Sequence, residues 1–219
     1  MKVLKNKYQK IAFLLKNRQH IKLVLNNFFE GYLYETGWSR SVIEGKPVDK
    51  EGNALPWISI PTIELLKEKD LSQLFVFEYG AGNSTIWFSK RVKKIVSIEH
   101  DKEWFGFVQK MIDAKNSKIY FKELSYGGDY ARSILDYNEV DIALVDGRDR
   151  VNCAKNSVTQ LSSKGVIILD DSQRENYQEA IEYIQSKGFK SLNLVGMNVG
   201  RPMRKVTTIF YRDNNCLGL

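Results

Sequence analysis

From residue 61 onward the apolar positions fall into short bursts separated by longer stretches in which they recur every three or four residues. The bursts at 74–78, 95–99, 118–124, 140–146 and 165–170 are too short for helices and read as strands. The recurring pattern predicts helices over 62–69, 84–91, 103–114, 130–135, 151–161 and 177–187. Two more strands, 191–195 and 205–211, close the chain. Their connector, 196–202, holds two glycines and a proline, which predicts an antiparallel hairpin at a sheet edge. Strands alternating with helices imply an α/β fold: a doubly wound, mostly parallel seven-stranded sheet covered on both faces.

The pattern ahead of residue 61 differs. Residues 1–30 carry Leu4, Tyr8, Ile11, Leu14, Leu15, Ile21, Leu25, Phe28 and Phe29 at helical spacing, interrupted by Arg18 and Lys22. This predicts a basic amphipathic helical extension. It either docks on the protein's own body or meets an anionic membrane or an oligomeric partner through residues 1–29. Residues 31–61 are broken by Gly31, Gly37, Gly45, Pro47, Gly52, Pro56 and Pro61, with Tyr34, Trp38 and Trp57 among them. They read as an irregular segment, either a lid over a site or a linker wrapping the body. Residues 62–219 form the third unit, the α/β domain.

Charge sharpens this division. The first acid is Glu30, and seven bases precede it: Lys2, Lys5, Lys7, Lys10, Lys16, Arg18 and Lys22. The whole chain has 33 bases against 26 acids, so removing those seven leaves residues 30–219 balanced. A pI of 9.2 would suggest nucleic acid if the bases lined the body; confined to a terminus, they make nucleic acid an unlikely partner. The two cysteines, Cys153 and Cys216, have no metal-type spacing and argue for a reducing compartment. No apolar run is long enough to span a bilayer, and no signal-peptide cleavage pattern follows residues 11–15. The expected location is the cytoplasm, with peripheral attachment to the inner membrane surface as the alternative for the basic helix.

The densest chemistry lies in Phe75-Val-Phe-Glu-Tyr-Gly-Ala-Gly-Asn-Ser-Thr85, followed by Ile95-Val-Ser-Ile-Glu-His-Asp101. A strand ends in an acid, then Gly80 and Gly82 make a tight turn, and Asn83 and Ser84 open a helix as its caps. Glu99 stands 21 positions after Glu78, where an acid accepts hydrogen bonds from ribose hydroxyls. Thr85 occupies the place of a dinucleotide fingerprint's third glycine, and a carboxylate at Glu78 would repel a pyrophosphate but attract an ammonium. These motifs resemble those of class I S-adenosylmethionine-dependent methyltransferases over roughly residues 60–212. The resemblance implies a Rossmann-like sheet and S-adenosylmethionine as cofactor. Glu99 would hold the ribose, Glu78 the methionine end, Gly80, Gly82, Asn83 and Ser84 the turn, and His100 would pack beside the adenine. A nicotinamide-dependent oxidoreductase and a non-catalytic nucleoside-binding scaffold are the competing readings.

Ligands on such sheets bind beyond the carboxyl ends of the strands, which selects Asp146, Asp170 and Asp171 besides Glu78 and Glu99. Three converging carboxylates suit Mg²⁺ or another divalent cation, and they resemble the metal-binding acids of catechol-type and macrolide-sugar O-methyltransferases. Those families tend to place a lysine or histidine base three positions after the first aspartate. Here that position is Asp149, which leaves Asp146 and Asp149 as catalytic candidates. Capping of the next helix by Asp171 and Ser172 is the alternative. Arg148, Arg150 and Arg174 either bind a carboxylate- or phosphate-bearing acceptor or pair with the neighbouring aspartates. The expected reaction is O-methylation of a small-molecule or glycan hydroxyl.

Overall fold

The computed structural model describes residues 6–112 and 115–219. Lys2, Leu4, Lys5 and Ala114, named in the expectations above, lie outside the described residues. Helices α1 (Lys7–Lys16), α2 (Arg18–Phe29), α3 (Tyr32–Glu35), α4 (Trp38–Glu44) and α5 (Ile60–Lys67) precede the first strand. There follow β1 (Phe75–Tyr79), α6 (Asn83–Ser89), β2 (Lys94–Glu99), α7 (Lys102–Met111) and β3 (Ser117–Phe121). Helix α8 (Asp129–Arg132) runs into a 3-10 turn at Ser133–Asp136 before β4 (Val140–Val145), α9 (Arg150–Gln160) and β5 (Leu161–Asp170). A 3-10 turn at Glu175–Tyr177 leads into α10 (Gln178–Ser186), and β6 (Lys190–Asn198) and β7 (Arg201–Tyr211) end the fold.

The seven strands form one sheet in the order β3-β2-β1-β4-β5-β7-β6. The first five are parallel, and β7 pairs antiparallel with both β5 and β6. Strand order therefore reverses between β1 and β4, and a crevice opens beyond their carboxyl ends. Successive residues of the central strands enter opposite cores. Val76, Ile142, Leu144, Val166 and Ile168 pack with Trp87, Phe88, Ile58 and Ile63 on one face. Phe77, Tyr79, Ala143, Val145, Ile167 and Leu169 pack with Tyr130, Cys153, Ala154 and Ile184 on the other. Burial on both faces is what makes these strands nearly continuous apolar runs.

Two expectations change. The hairpin is longer than its sequence suggested: Asn198 pairs with Arg201, and the turn is Val199-Gly200, with Gly200 in the left-handed region at φ 69°. Residues 31–61 are not irregular throughout, since α3 and α4 form there and Val48 bridges to Ala54. Trp38, Val48, Leu55 and Ile58 are buried, and Ser59 bridges to Asn198 on β6, so this stretch covers one sheet face. Gly37 has φ 76°, and a Cβ there would lie 2.3 Å from the Val48 carbonyl oxygen.

The basic extension also departs from a single docked helix. It breaks at Asn17, and neither α1 nor α2 buries any residue. Tyr8, Leu15, Leu23 and Val24 are 82, 61, 66 and 65% exposed. Attachment comes only at its end, where Phe28 meets Trp38 edge to face at 6.2 Å. Ser39 Oγ also donates to the Phe28 carbonyl there. Among the described residues no helix is long and apolar enough to cross a membrane.

Ile168 sits at the centre of β5 with no exposed surface. Ile168→Ala leaves a cavity between sheet and helices and should cost about 2–5 kcal/mol, read as a lower urea midpoint at unchanged m-value.

Candidate active site

Strand β1 ends at Tyr79, and Gly80 turns the chain at φ 94°. A Cβ on Gly80 would stand 2.9 Å from Gly147 Cα, and one on Gly147 would stand 2.0 Å from the Tyr130 hydroxyl. The β1 and β4 turns thus cross at backbone contact, and glycine is required on both sides. Gly82 is different. Its backbone is extended and a Cβ would find Trp104 only at 3.9 Å, so its open side is space that a ligand can enter. Gly82 itself, not Asn83 or Ser84, is the N-cap of α6. Asn83 instead donates from Nδ2 to the Pro47 carbonyl at 2.7 Å, tying the helix to the loop after α4.

Around this turn lies a cavity of about 660 Å³ lined by Gly80, Gly82, Asn83, Ser84, Glu99, His100, Asp146, Arg148, Arg150 and Arg174. Gly45, Lys46, Pro47, Trp57, Ala81, Asp101, Trp104 and Gly147 complete it; Gly45, Pro47 and Trp57 come from the segment expected as lid or linker, while Lys46, Ala81, Asp101, Trp104 and Gly147 were not among the expected site residues. Trp104 had a signal: it follows the β2 acid within one helical turn. Its indole nitrogen donates to the Ala81 carbonyl at 2.7 Å, which makes it a wall of the glycine turn.

Glu99 is buried at the floor. Its Oε2 accepts from the Ala81 amide at 3.0 Å, and its Oε1 from the amides of His100 and Asp101 at 2.7 and 2.8 Å. A carboxylate has about four lone-pair positions, so Oε2 keeps one free toward the cavity. His100 Nδ1 lies 2.8 Å from Glu99 Oε1 without forming a hydrogen bond.

Glu78 does not line the cavity. It is wholly buried behind the turn, where its Oε2 accepts from the hydroxyls of Thr85 and Ser97. Thr85, in place of a third glycine, also accepts from the Gly82 amide at 3.0 Å. Glu78 therefore braces the turn instead of meeting a ligand's ammonium. Burial pushes its carboxyl up to about 7, against the pull of the Ser84, Ser97 and Thr85 hydroxyls and with a push from Glu99. Its Oε1 is buried without a partner and is the natural seat of the proton.

The strand-end acids converge, but on cations of the chain itself. Asp146 accepts from Arg150 Nη2 at 2.9 Å. Asp170 is fully buried, with Lys205 Nζ at 2.6 Å and the Thr207 hydroxyl donating at 2.8 Å. Asp171 pairs with Arg174 at 2.5 Å and has Lys205 at 3.6 Å. Arg150 also donates to the carbonyls of Gly147, Asp146 and Asp170, and Lys205 donates to the Trp57 carbonyl at 2.8 Å. These groups neutralise the carboxylates and occupy the oxygens a divalent cation would need. Among the described residues no set of three His, Cys, Asp or Glu side chains is arranged to hold a metal. The expected metal triad of Asp146, Asp170 and Asp171 is thereby replaced by an internal salt-bridge network, and the donor set does not fit the ion.

Three further expectations are decided by the same geometry. Of the two readings of Arg150, pairing with the neighbouring aspartates is the one found: it is spent inside the network and is not a free acceptor contact. Asp149 does not line the cavity; its carboxylate accepts from the Gly127 amide at 2.7 Å and from Asn152 at 2.8 Å, pinning a loop to α9. Ser172 bonds Thr208 and the Val206 carbonyl, while the N-cap of the next helical turn is Arg174, so Asp171 and Ser172 are not its caps. Asp146 remains the cavity's carboxylate beside the turn. Burial holds its carboxyl above the ordinary range although Arg150 and Lys205 pull it down.

The sheet order and the terminal antiparallel hairpin, with a cavity at the β1/β4 crossing, are those of the class I S-adenosylmethionine-dependent methyltransferase fold. No family model and no curated protein sequence matches the chain. Solved structures do. A precorrin-6y C5,15-methyltransferase from Geobacter metallireducens aligns at TM-score 0.52 and 17% identity, covering 70% of this chain and 88% of that one. A methyltransferase from Streptococcus mutans in complex with SAH aligns at 0.51 and 12%, covering 68% and 94%. An rRNA methylase from Streptococcus thermophilus aligns at 0.50 and 12%, covering 69% and 96%. At these identities the likeness establishes the fold, and the different acceptors in their names leave this chain's acceptor to its own residues.

The raised carboxyl of Glu78 yields a pH test. Since its folded value lies near 7 against the ordinary 4.5, the stability it contributes is full below pH 4.5 and lost as pH rises through 7. Glu78→Gln keeps the shape without the charge. It should gain on the wild type between pH 5 and pH 8 by up to ~3 kcal/mol, at about 1.4 kcal/mol per unit. Urea titrations at both pH values measure this, and a constant difference would refute the raised value.

Proposed function

We propose that the protein is an S-adenosylmethionine-dependent methyltransferase acting on a hydroxyl oxygen of a small-molecule or glycan acceptor. The observation that carries this is a pair of adjoining cavities that share Asp146. Besides the 660 Å³ cavity at the glycine turn, a second of about 470 Å³ opens against β7, and Trp57, Asp146 and Arg174 belong to both. Both are of ligand-binding size.

In the first cavity Glu99 has a free acceptor position suited to a ribose hydroxyl, Trp104 and His100 offer ring surfaces to an adenine, and Gly82 leaves room at the turn. Bound there, S-adenosylmethionine supplies a sulfonium methyl group whose transfer leaves the C–S electron pair on the departing thioether. The chain's part is to hold an acceptor oxygen at the junction of the two cavities and take up its proton. Asp146 suits that part: it borders both cavities, burial holds its carboxyl above the ordinary range, and Arg150 fixes its orientation. A nicotinamide reading loses support because Thr85 is locked into bracing the turn. The charge balance of residues 30–219 favours a small acceptor over nucleic acid.

We also infer that α1 and α2 lie on an anionic membrane surface. Their apolar side chains stay exposed, while Lys7, Lys10, Lys16, Arg18 and Lys22 stand among them without one acid. A second copy would bring like charges together, whereas an anionic bilayer answers both features.

Calorimetry should show S-adenosylhomocysteine binding and no NAD binding. Glu99→Gln should weaken the former by about 1.5–3 kcal/mol, as expected for a hydrogen bond involving a charged group. Asp146→Asn should retain that binding while methylation of an accepted hydroxyl compound falls by roughly 10²–10⁴, the usual range for a general base. Unchanged turnover would remove Asp146 from catalysis.

The protein should sediment with phosphatidylserine-containing vesicles, stay in solution with purely zwitterionic ones, and be released by salt. Vesicle-independent dimerisation through these helices would instead assign them to a second copy.

A further inference from the structure

The second cavity carries features that a generic hydroxyl acceptor does not require. Its rim is the β6–β7 hairpin, which brings Asn198, Arg201, Met203 and Arg204 over the buried acid network. The network's own charges are matched internally: Lys205 and Arg150 face Asp170, Asp146 and Asp171, and Arg174 pairs with Asp171. Arg201 and Arg204 make no ion pair with any described acid, and both side chains are exposed at the mouth. Arg201 instead lies over the Trp57 ring, 5.4 Å from its centre. Beside them Asn198 Oδ1 is buried and has no hydrogen-bond partner.

Two unpaired guanidiniums at the same mouth favour an anion, which they meet in forked geometry. Trp57 adds a half-open ring surface that borders both this cavity and the one at the glycine turn. One compact ligand with a hydroxyl-bearing ring and an anionic group satisfies both the arginines and the ring surface. A polynucleotide would need a longer basic track, and the rest of the body is charge-balanced.

Resting on the methyltransferase reading, we infer that this cavity is a specificity site for an anionic hydroxylated acceptor, of the sugar-acid or sugar-phosphate class. Arg201 and Arg204 read the anion, and the Trp57 ring supports the sugar ring beside them. The hydroxyl to be methylated then falls toward Asp146, the carboxylate shared by the two cavities.

The test is direct binding, followed by Trp fluorescence or saturation-transfer NMR, with D-glucuronate, glucose 6-phosphate, glucose and a short single-stranded RNA as probes. Glucuronate, glucose 6-phosphate or both should bind at least about tenfold more tightly than glucose, in keeping with charge-assisted hydrogen bonds. The Arg201→Ala/Arg204→Ala double variant should bring the anions down to the level of glucose, and Trp57→Ala should weaken the sugars without removing the preference for the anions. Calorimetry with S-adenosylhomocysteine should be unchanged in the double variant, which shows that the fold and the first cavity are intact. Equal binding of glucose and the anions overturns the inference, as does anion binding that survives loss of both arginines. RNA binding tighter than either sugar anion and dependent on Arg201 and Arg204 overturns it in favour of nucleic acid. Failure of the wild type to bind S-adenosylhomocysteine would strike the methyltransferase reading instead, and the sugar titrations separate the two.

Discussion

The site depends on one buried arrangement of charge: Arg150 and Lys205 set between Asp146, Asp170 and Asp171. Removing one member of such a network strands another without water, typically at 3–5 kcal/mol, so the members hold each other in place. Arg150 comes from the start of α9, Lys205 from the middle of β7, and the aspartates from the ends of β4 and β5. The network thus fixes the hairpin against the parallel sheet at the point where the strand ends open into the crevice. Lys205 extends the tie to the Trp57 carbonyl, drawing the N-terminal segment over the same spot. Both cavities take their common wall from it.

The other side of the crevice is set by contact instead of charge. Gly80 and Gly147 let the two turns approach to backbone distance, with the Tyr130 hydroxyl filling the place a side chain would take. Behind Gly80, Glu78 receives two hydroxyls and is buried away from the cavity, with its carboxyl raised by burial, so it braces the turn instead of lining the ligand space. In front, Glu99 ties down three backbone amides and still has an acceptor position to offer. Two acids 21 positions apart therefore have opposite duties, and burial decides which is which.

That difference marks what was legible in the sequence. Most element positions were legible because burial on both faces makes each central strand a short, nearly continuous apolar run, a signal it carries by itself, whereas the strand order came only with the structure. The β1–α6–β2 unit was legible because glycines and acids at fixed spacing have few other reasons to occur. The duties of Glu78, Asp149 and Arg150 were not, since each is set by partners brought from far along the chain or by the direction a side chain takes at a strand end. For Arg150 the sequence left acceptor binding and pairing with neighbouring aspartates open, and Asp170 and Asp171, arriving beside it, decide for pairing. Helices α3 and α4 were hidden by their flanking glycines, which read as breakers although Gly37 and Gly45, in left-handed conformation, serve as helix ends. Asn198, Arg201 and Arg204 fell in what looked like a loop because the hairpin turn was placed too broadly.

The distribution of charge bears on how an acceptor is chosen. The chain's excess of seven bases belongs entirely to the segment before Glu30, and the body is balanced. Long-range steering by net charge therefore gives the cavities little, because exposed charges are screened beyond roughly 8–10 Å at physiological salt. Any preference for an anion has to be made locally, by cations that the network leaves unpaired. Five cations approach the second cavity or its floor: Arg150, Lys205, Arg174, Arg201 and Arg204. The first three are committed to Asp146, Asp170 and Asp171, which leaves the hairpin pair as the available ones. A hairpin that ended four residues earlier would keep the fold and lose both. On the proposed reading, the extra length of β6 and β7 is thus the feature that separates holding a cofactor, which would fall to the sheet and its glycine turn, from selecting what the cofactor's methyl group would meet.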